Sequence, residues 1–252
     1  MMMNKKGQMV IFVIIALGIV VGLLIYLALK LNTAGISPTS ESPQQAIQKC
    51  ARDATLEAVN KMLPQGGFVN VTNYQKWNKI NVEYLCQNLG NYHPCISQHP
   101  SFINDEKTEI EKYIKPRVEN CFSELKAARE KQKETFDYGP MNLSVDLAHD
   151  KILVNIGRDT RINVRGESMR IDNYDVIIDS PLYDIVSVAN EIAANQAKYC
   201  YFEYSGYMTL YPRWIIMVDS MSDSTKIYTI EDKKTGDKMN IAIRSCAIPA
   251  GF

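Results

Sequence analysis

Residues Met9 to Leu29 read MVIFVIIALGIVVGLLIYLAL, 21 residues without a charge. A helix rises about 1.5 Å per residue, so this run spans about 31 Å, the thickness of a bilayer core. A buried core helix would carry a polar face, and this run has none. A cleaved secretory signal has a shorter apolar region and a small-residue exit site, which Tyr26-Leu27-Ala28-Leu29-Lys30 does not supply. The run therefore reads as a retained, single-pass membrane helix over 9–29. Lys5 and Lys6 precede it and only Lys30 follows closely, which places the leader (1–8) in the cytoplasm and everything beyond outside the cell membrane. The lipid bilayer is the first expected partner. Gly18 and Gly22 form a GxxxG that would let two such helices approach, a candidate for self-association.

The cysteines agree with that topology. All six, Cys50, Cys86, Cys95, Cys121, Cys200 and Cys246, follow the apolar run. An even set in an exported domain reads as a disulfide framework. Two sequons, Asn70-Val71-Thr72 and Asn142-Leu143-Ser144, make Asn70 and Asn142 candidate glycan acceptors there. The 28 basic and 28 acidic residues of the chain balance. Three of the bases lie before residue 31, so the outer part is slightly acidic. That excludes a polybasic surface binder and argues against nucleic acid as a partner.

Beyond the apolar run, residues 30–45 are rich in Gly, Pro and Ser and read as a linker. The rest, 46–252, reads as one α+β ectodomain with a helical part (46–135) and a sheet part (140–252). Ser42-Pro43-Gln44-Gln45 resembles a capping box that opens a helix. Ile47, Cys50, Ala51, Ala54, Ala58 and Met62 share one face of it, and Pro64-Gln65-Gly66-Gly67 ends it. Residues 68–103 read as loops, stapled locally by Cys86 and Cys95. A second helix is expected over Asp105–Lys133, with Ile110, Ile114, Val118, Cys121 and Phe122 on its apolar stripe. Cys50 and Cys121 both fall on apolar faces, which predicts that they bond.

From Asn142 the period changes to two. Strands are expected on both sides of a His149-Asp150 turn, then at 161–165, 169–178, 207–219, 226–231 and 240–246, forming an antiparallel sheet. Ser180-Pro181 opens a third helix with Leu182, Ile185, Val186, Ala189, Ile192 and Ala193 inside. Cys200 and Cys246 then tie the end of that helix to the last strand.

Asn4-Lys5-Lys6-Gly7-Gln8-Met9-Val10-Ile11-Phe12 resembles the class III (type IV pilin-like) signal of archaeal surface proteins. That resemblance implies peptidase cleavage between Gly7 and Gln8, with the apolar stretch kept as the mature N-terminus. Many pilins carry Glu where this chain has Phe12. The body resembles single-pass archaeal surface proteins at Cys50, Gln65-Gly66-Gly67-Phe68, Cys121 and Ile227-Tyr228-Thr229-Ile230-Glu231-Asp232. This second resemblance implies a surface location and a small extracellular α+β fold, and carries no catalytic residue with it.

Motifs for chemistry are sparse. His93, Cys95 and His99 lack the four ordered ligands of a zinc site. His149-Asp150 suits a turn better than a catalytic pair. No phosphate loop, dinucleotide fingerprint or zinc-protease sequence is present. Asp219, Asp223 and Glu231 lack calcium-loop spacing. No cofactor, metal or enzymatic activity is expected. The leading expectation is a structural or interaction role at the cell surface, pilin-like or adhesive, toward an extracellular protein or glycan. Tyr207, Tyr211 and Trp214 are the candidate binding surface, because exposed aromatics anchor contacts. The alternative is an extracellular hydrolase using convergent carboxylates among Asp172, Asp175, Asp179 and Asp184.

Overall fold

The structure, a computed structural model, describes residues 18, 20, 42–90, 92–164 and 167–246. Gly18 and Val20 are helical. The rest of the expected membrane helix, the leader, the Gly7–Gln8 junction, Gly22 and most of the linker lie outside the described residues. Among those described, no helix is long and apolar enough to cross a membrane. The main compact unit begins at Pro43.

Helix α1 spans Pro43–Met62, so Pro43, Gln44 and Gln45 belong to the helix rather than to a linker. Its inner face is Ile47, Ala51, Ala54, Ala58 and Met62, as the three- and four-residue spacing requires. A 3₁₀ turn, Leu63–Gln65, and the left-handed Gly66 end it. Helix α2 spans Phe102–Lys131 and continues through the exposed Pro116. The Cys50–Cys121 disulfide clamps α1 to α2, with Cα atoms 6.6 Å apart. Helix α3 spans Leu182–Tyr199, and all six residues expected inside are buried.

The region expected to be loops holds three strands, β1 (Tyr74–Trp77), β2 (Ile80–Gln87) and β3 (Ile96–Ser97). Two physical reasons hid them. The β1–β2 turn is Asn78-Lys79, both with positive φ, and lacks the glycine that marks such turns. Residues Val82 to Cys86 are buried on both faces, so β2 shows no alternation.

The remaining strands are β4 (Thr135–Tyr138), β5 (Asn142–Ala148), β6 (Lys151–Val164), β7 (Glu167–Asn173), β8 (Val176–Asp179), β9 (Trp214–Ser220), β10 (Thr225–Asp232) and β11 (Lys238–Arg244). Among the described residues they form two sheets. One runs β1-β2-β11-β10-β9, with β3 on β2. Its β11–β2 pair is parallel, so this sheet is mixed rather than wholly antiparallel. The other is built on the 14-residue β6, flanked by β5 and β8 over its first half and by β4 and β7 over its second. The His149-Asp150 hairpin has the expected register, Ala148 opposite Lys151.

A short helix, α4 (Tyr204–Leu210), stands where a strand from Tyr207 was expected. Glu203 caps it by accepting from the Ser205 and Gly206 N–H groups. The strand begins only at Trp214. All six cysteines pair as expected: Cys86–Cys95 and Cys200–Cys246 complete the set, and no cysteine is free. In the chain-entropy account bonds of this kind stabilise by about 3–4 kcal/mol each.

One buried carboxyl departs from the apolar core. Glu106 on α2 is fully buried, and its carboxyl oxygens have no hydrogen-bond partner among the described residues. Gly67, at φ +92, lies against it; a Cβ there would fall 1.6 Å from Glu106 Oε1. Burial, with Glu109 and Asp105 nearby, pushes the Glu106 carboxyl well above the usual carboxylate range. The folded chain therefore keeps a proton that the unfolded chain has released. Stability from this group is complete below the ordinary carboxylate range and is lost as pH rises above it. Glu106→Gln is expected to melt with the parent near pH 4 and above it near pH 8, by thermal denaturation followed by circular dichroism. Equal melting at both pH values would contradict the buried, protonated state.

Candidate functional site

Three places gather the side chains that could do chemistry or binding. The first lies where the β5–β6 turn, the start of α3, the start of β9 and the β10–β11 turn meet. Arg213 Nη2 donates to Asp150 Oδ1 and Asp232 Oδ2, both at 2.7 Å, and Nη1 lies 3.4 Å from Asp184 Oδ2. Lys234 Nζ donates to Asp150 at 2.9 Å, and His149 Nδ1 lies 2.7 Å from Asp184 Oδ1. Asp232 is fully buried. Lys234 and Arg213 hold the Asp150 carboxyl down to about 2. Burial opposes ionisation of Asp232, but Arg213 and the Lys234 backbone N–H outweigh it and keep that carboxyl low.

Among the described residues, His149, Asp150 and Asp184 are also the group whose ligand atoms come close enough to hold a metal. Arg213 and Lys234 already occupy those oxygens, and an ion would have to displace both. Asp150 and Asp232, held ionised, offer no proton near neutrality. The arrangement acts as an electrostatic clasp between the two sheets. His149 thus turns to Asp184 rather than to its neighbour Asp150, whose closest approach is 3.9 Å.

The second place is a cavity of about 550 Å³ lined by Phe68, Gln98, His99, Asp105, Glu109 and Lys112, among others. His99 is held between two carboxylates, Glu83 at 3.6 Å and Asp105 at 3.5 Å, and its ring packs on Phe68 at 4.4 Å. Both ring nitrogens are thus directed at acids. His93 is exposed on the preceding loop, and Cys95 is bonded to Cys86, so His93, Cys95 and His99 do not form a zinc site.

The third is an aromatic ridge at the end of α3 and on α4. Tyr199, Tyr201, Leu210 and Tyr211 are exposed, Leu210 by 76%. Tyr207 is half-buried: its ring packs on Phe202 and Tyr211, and its hydroxyl donates to Glu191 at 3.1 Å. Trp214, expected on this surface, is instead 6% exposed, with the Arg213 guanidinium 4.9 Å from its ring. Trp214 is the first residue of β9, where its side chain turns into the core.

The remaining candidates scatter. Asp172 pairs with Arg170, which also holds Asp159, and Asp175 and Asp179 are exposed beside and on β8; of the four acids considered for hydrolysis, Asp184 is the one that joins the clasp. Asp219 accepts from the Trp77 indole, Asp223 from the Thr225 N–H, and Glu231 pairs with Lys238, so the three face separate partners. Asn70 and Asn142 are both exposed, as glycan acceptors must be. The sequence did not show that Arg213, Asp232 and Lys234 gather with Asp150. The turn composition Lys233-Lys234-Thr235-Gly236 was the available signal, but the clasp joins positions far apart in the chain. No family model, curated protein or solved structure matches the chain.

Replacing Arg213 by Met leaves the buried Asp232 without its cation, which costs about 3 kcal/mol near neutral pH. The depressed carboxyls contribute above the unfolded value near 3.9 and lose their contribution as pH falls toward 2. The stability gap between parent and Arg213→Met, measured by urea denaturation, should therefore shrink between about pH 4 and pH 2. A gap that stays constant would mean that Arg213 acts through packing.

Proposed function

We propose that this chain is a membrane-tethered surface protein, anchored by residues 9–29, whose disulfide-bonded ectodomain has a binding or structural role outside the cell. The observation that carries the reading is the cysteine framework. All six cysteines pair within the unit that begins at Pro43. Such a set forms and persists in an oxidising environment, which is where the flanking lysines direct this part of the chain.

The contact surface in this reading is the ridge of Tyr199, Tyr201, Leu210 and Tyr211. Tyrosine gives large contact area at small entropic cost and a hydroxyl for polar partners, so an extracellular protein or glycan suits it. The pairing of Asp184 with Arg213 and of Asp172 with Arg170 weighs against a hydrolase built on those acids.

Topology is tested by adding protease to intact cells. Loss of the ectodomain, with a membrane-protected N-terminal fragment left behind, is the expected result; full protection would overturn the reading. The mass of the mature N-terminus separates a pilin-like subunit, starting at Gln8, from a simple tether that retains Gly7. For the ridge, Leu210→Ser and Tyr211→Ala should change the melting temperature by less than about 2 °C, as surface changes do. Both should abolish adherence of protein-bearing vesicles to cell envelopes. Undiminished adherence would remove the ridge from the account.

A further inference from the structure

The three disulfides differ sharply in their surroundings. Cys86, Cys95, Cys200 and Cys246 are all at most 5% exposed. Cys50 and Cys121 are only half-buried, and both line an open cavity of about 570 Å³ between α1 and α2. Asp53, Ala54, Glu57, Pro116, Arg117 and Asn120 complete its wall. Exchange requires a thiolate to reach a sulfur, so access separates a reactive bond from inert ones.

We propose that Cys50–Cys121 is a thiol-exchange site, a covalent lock between α1 and α2 that an external dithiol opens and that the disulfide form of that dithiol closes by the reverse exchange, while the rest of the ectodomain stays folded. The attacking thiolate sulfur forms a new S–S bond to one cysteine, and the Cys50–Cys121 bond breaks. The released cysteine leaves as a thiolate and takes a proton from water. The second thiol of the dithiol then attacks the mixed disulfide, so the dithiol is oxidised to its own disulfide and two cysteine thiols are left.

The fold has reason to survive this opening. Beneath the bond, α1 and α2 bury Ala51, Ala54 and Ala58 with Ile110, Ile114 and Val118 in one core. Beside it, Glu57 accepts from the Tyr113 hydroxyl and pairs with Arg117 at 3.3 Å. Neither contact needs the sulfurs. The inference does not depend on the membrane reading, since it rests on access alone.

The test is stepwise reduction of the full-length protein, in detergent, with dithiothreitol. Free thiols are trapped with iodoacetamide at intervals and mapped by peptide mass spectrometry, while circular dichroism follows the fold. Cys50 and Cys121 should be alkylated together, on the order of tenfold or more ahead of the other four, with the spectrum unchanged. The Cys50→Ser, Cys121→Ser double variant, or the reduced and alkylated parent if that variant does not fold, should leave the other four cysteines unlabelled over the same period. Earlier labelling of Cys86–Cys95 or Cys200–Cys246 would overturn the proposal. So would simultaneous labelling of all six, which would mean that reduction follows global unfolding.

Discussion

Helix α3 is the element on which both sheets depend. It packs against β2, β3, β10 and β11 of the mixed sheet, against β5 and β6 of the antiparallel one, and against α2. Its residues Leu182, Ile185, Val186, Val188, Ala189, Ile192, Ala193 and Gln196 are buried, more than one stripe would need. A helix apolar around much of its circumference is stable only when it is covered from several directions. Each sheet therefore supplies part of the cover that the other lacks.

Both ends of α3 are fixed by polar or covalent contacts rather than by packing alone. At its head, Asp184 joins the Arg213 clasp and accepts from the Asp150 N–H. At its foot, Gln196 donates to the buried Tyr228 hydroxyl, and its carbonyl accepts from Ser245. The C-cap residue is Cys200, in the left-handed conformation, and its bond to Cys246 holds the chain after β11. Asp184 is thus committed to holding the head of the helix. The aromatic ridge, which we propose as the contact surface, begins at Tyr199 on the last turn of the same helix. In the proposed reading the binding surface is carried by a rigid frame.

The helices and the disulfide pairing were legible because one-sided burial imprints a period on the chain. Ile47 to Met62 and Leu182 to Ala193 carry that imprint, and so do the strands on both sides of His149-Asp150. β2 escaped because burial on both faces removes the period, and β4 because four residues carry too little of it. α4 escaped for a different reason: the stretch from Tyr207 reads as strand by composition, and a single Glu203 cap with local helical bonding decided otherwise. The clasp was illegible in principle. Arg213 meets Asp150, Asp184 and Asp232 only through tertiary structure, and none of the four is unusual where it stands in the sequence. Trp214 shows the same limit, since an aromatic residue suits a core and a surface equally well.

The central claim is that both sheets form one cooperative core around α3. Hydrogen exchange of the full-length protein, read by mass spectrometry, tests it most directly. The account predicts that amides of α3, β6 and β10 exchange at one common, slowest rate, that of global unfolding. Exchange of β6 well ahead of β10, with α3 following only one of them, would show two independent units and contradict it.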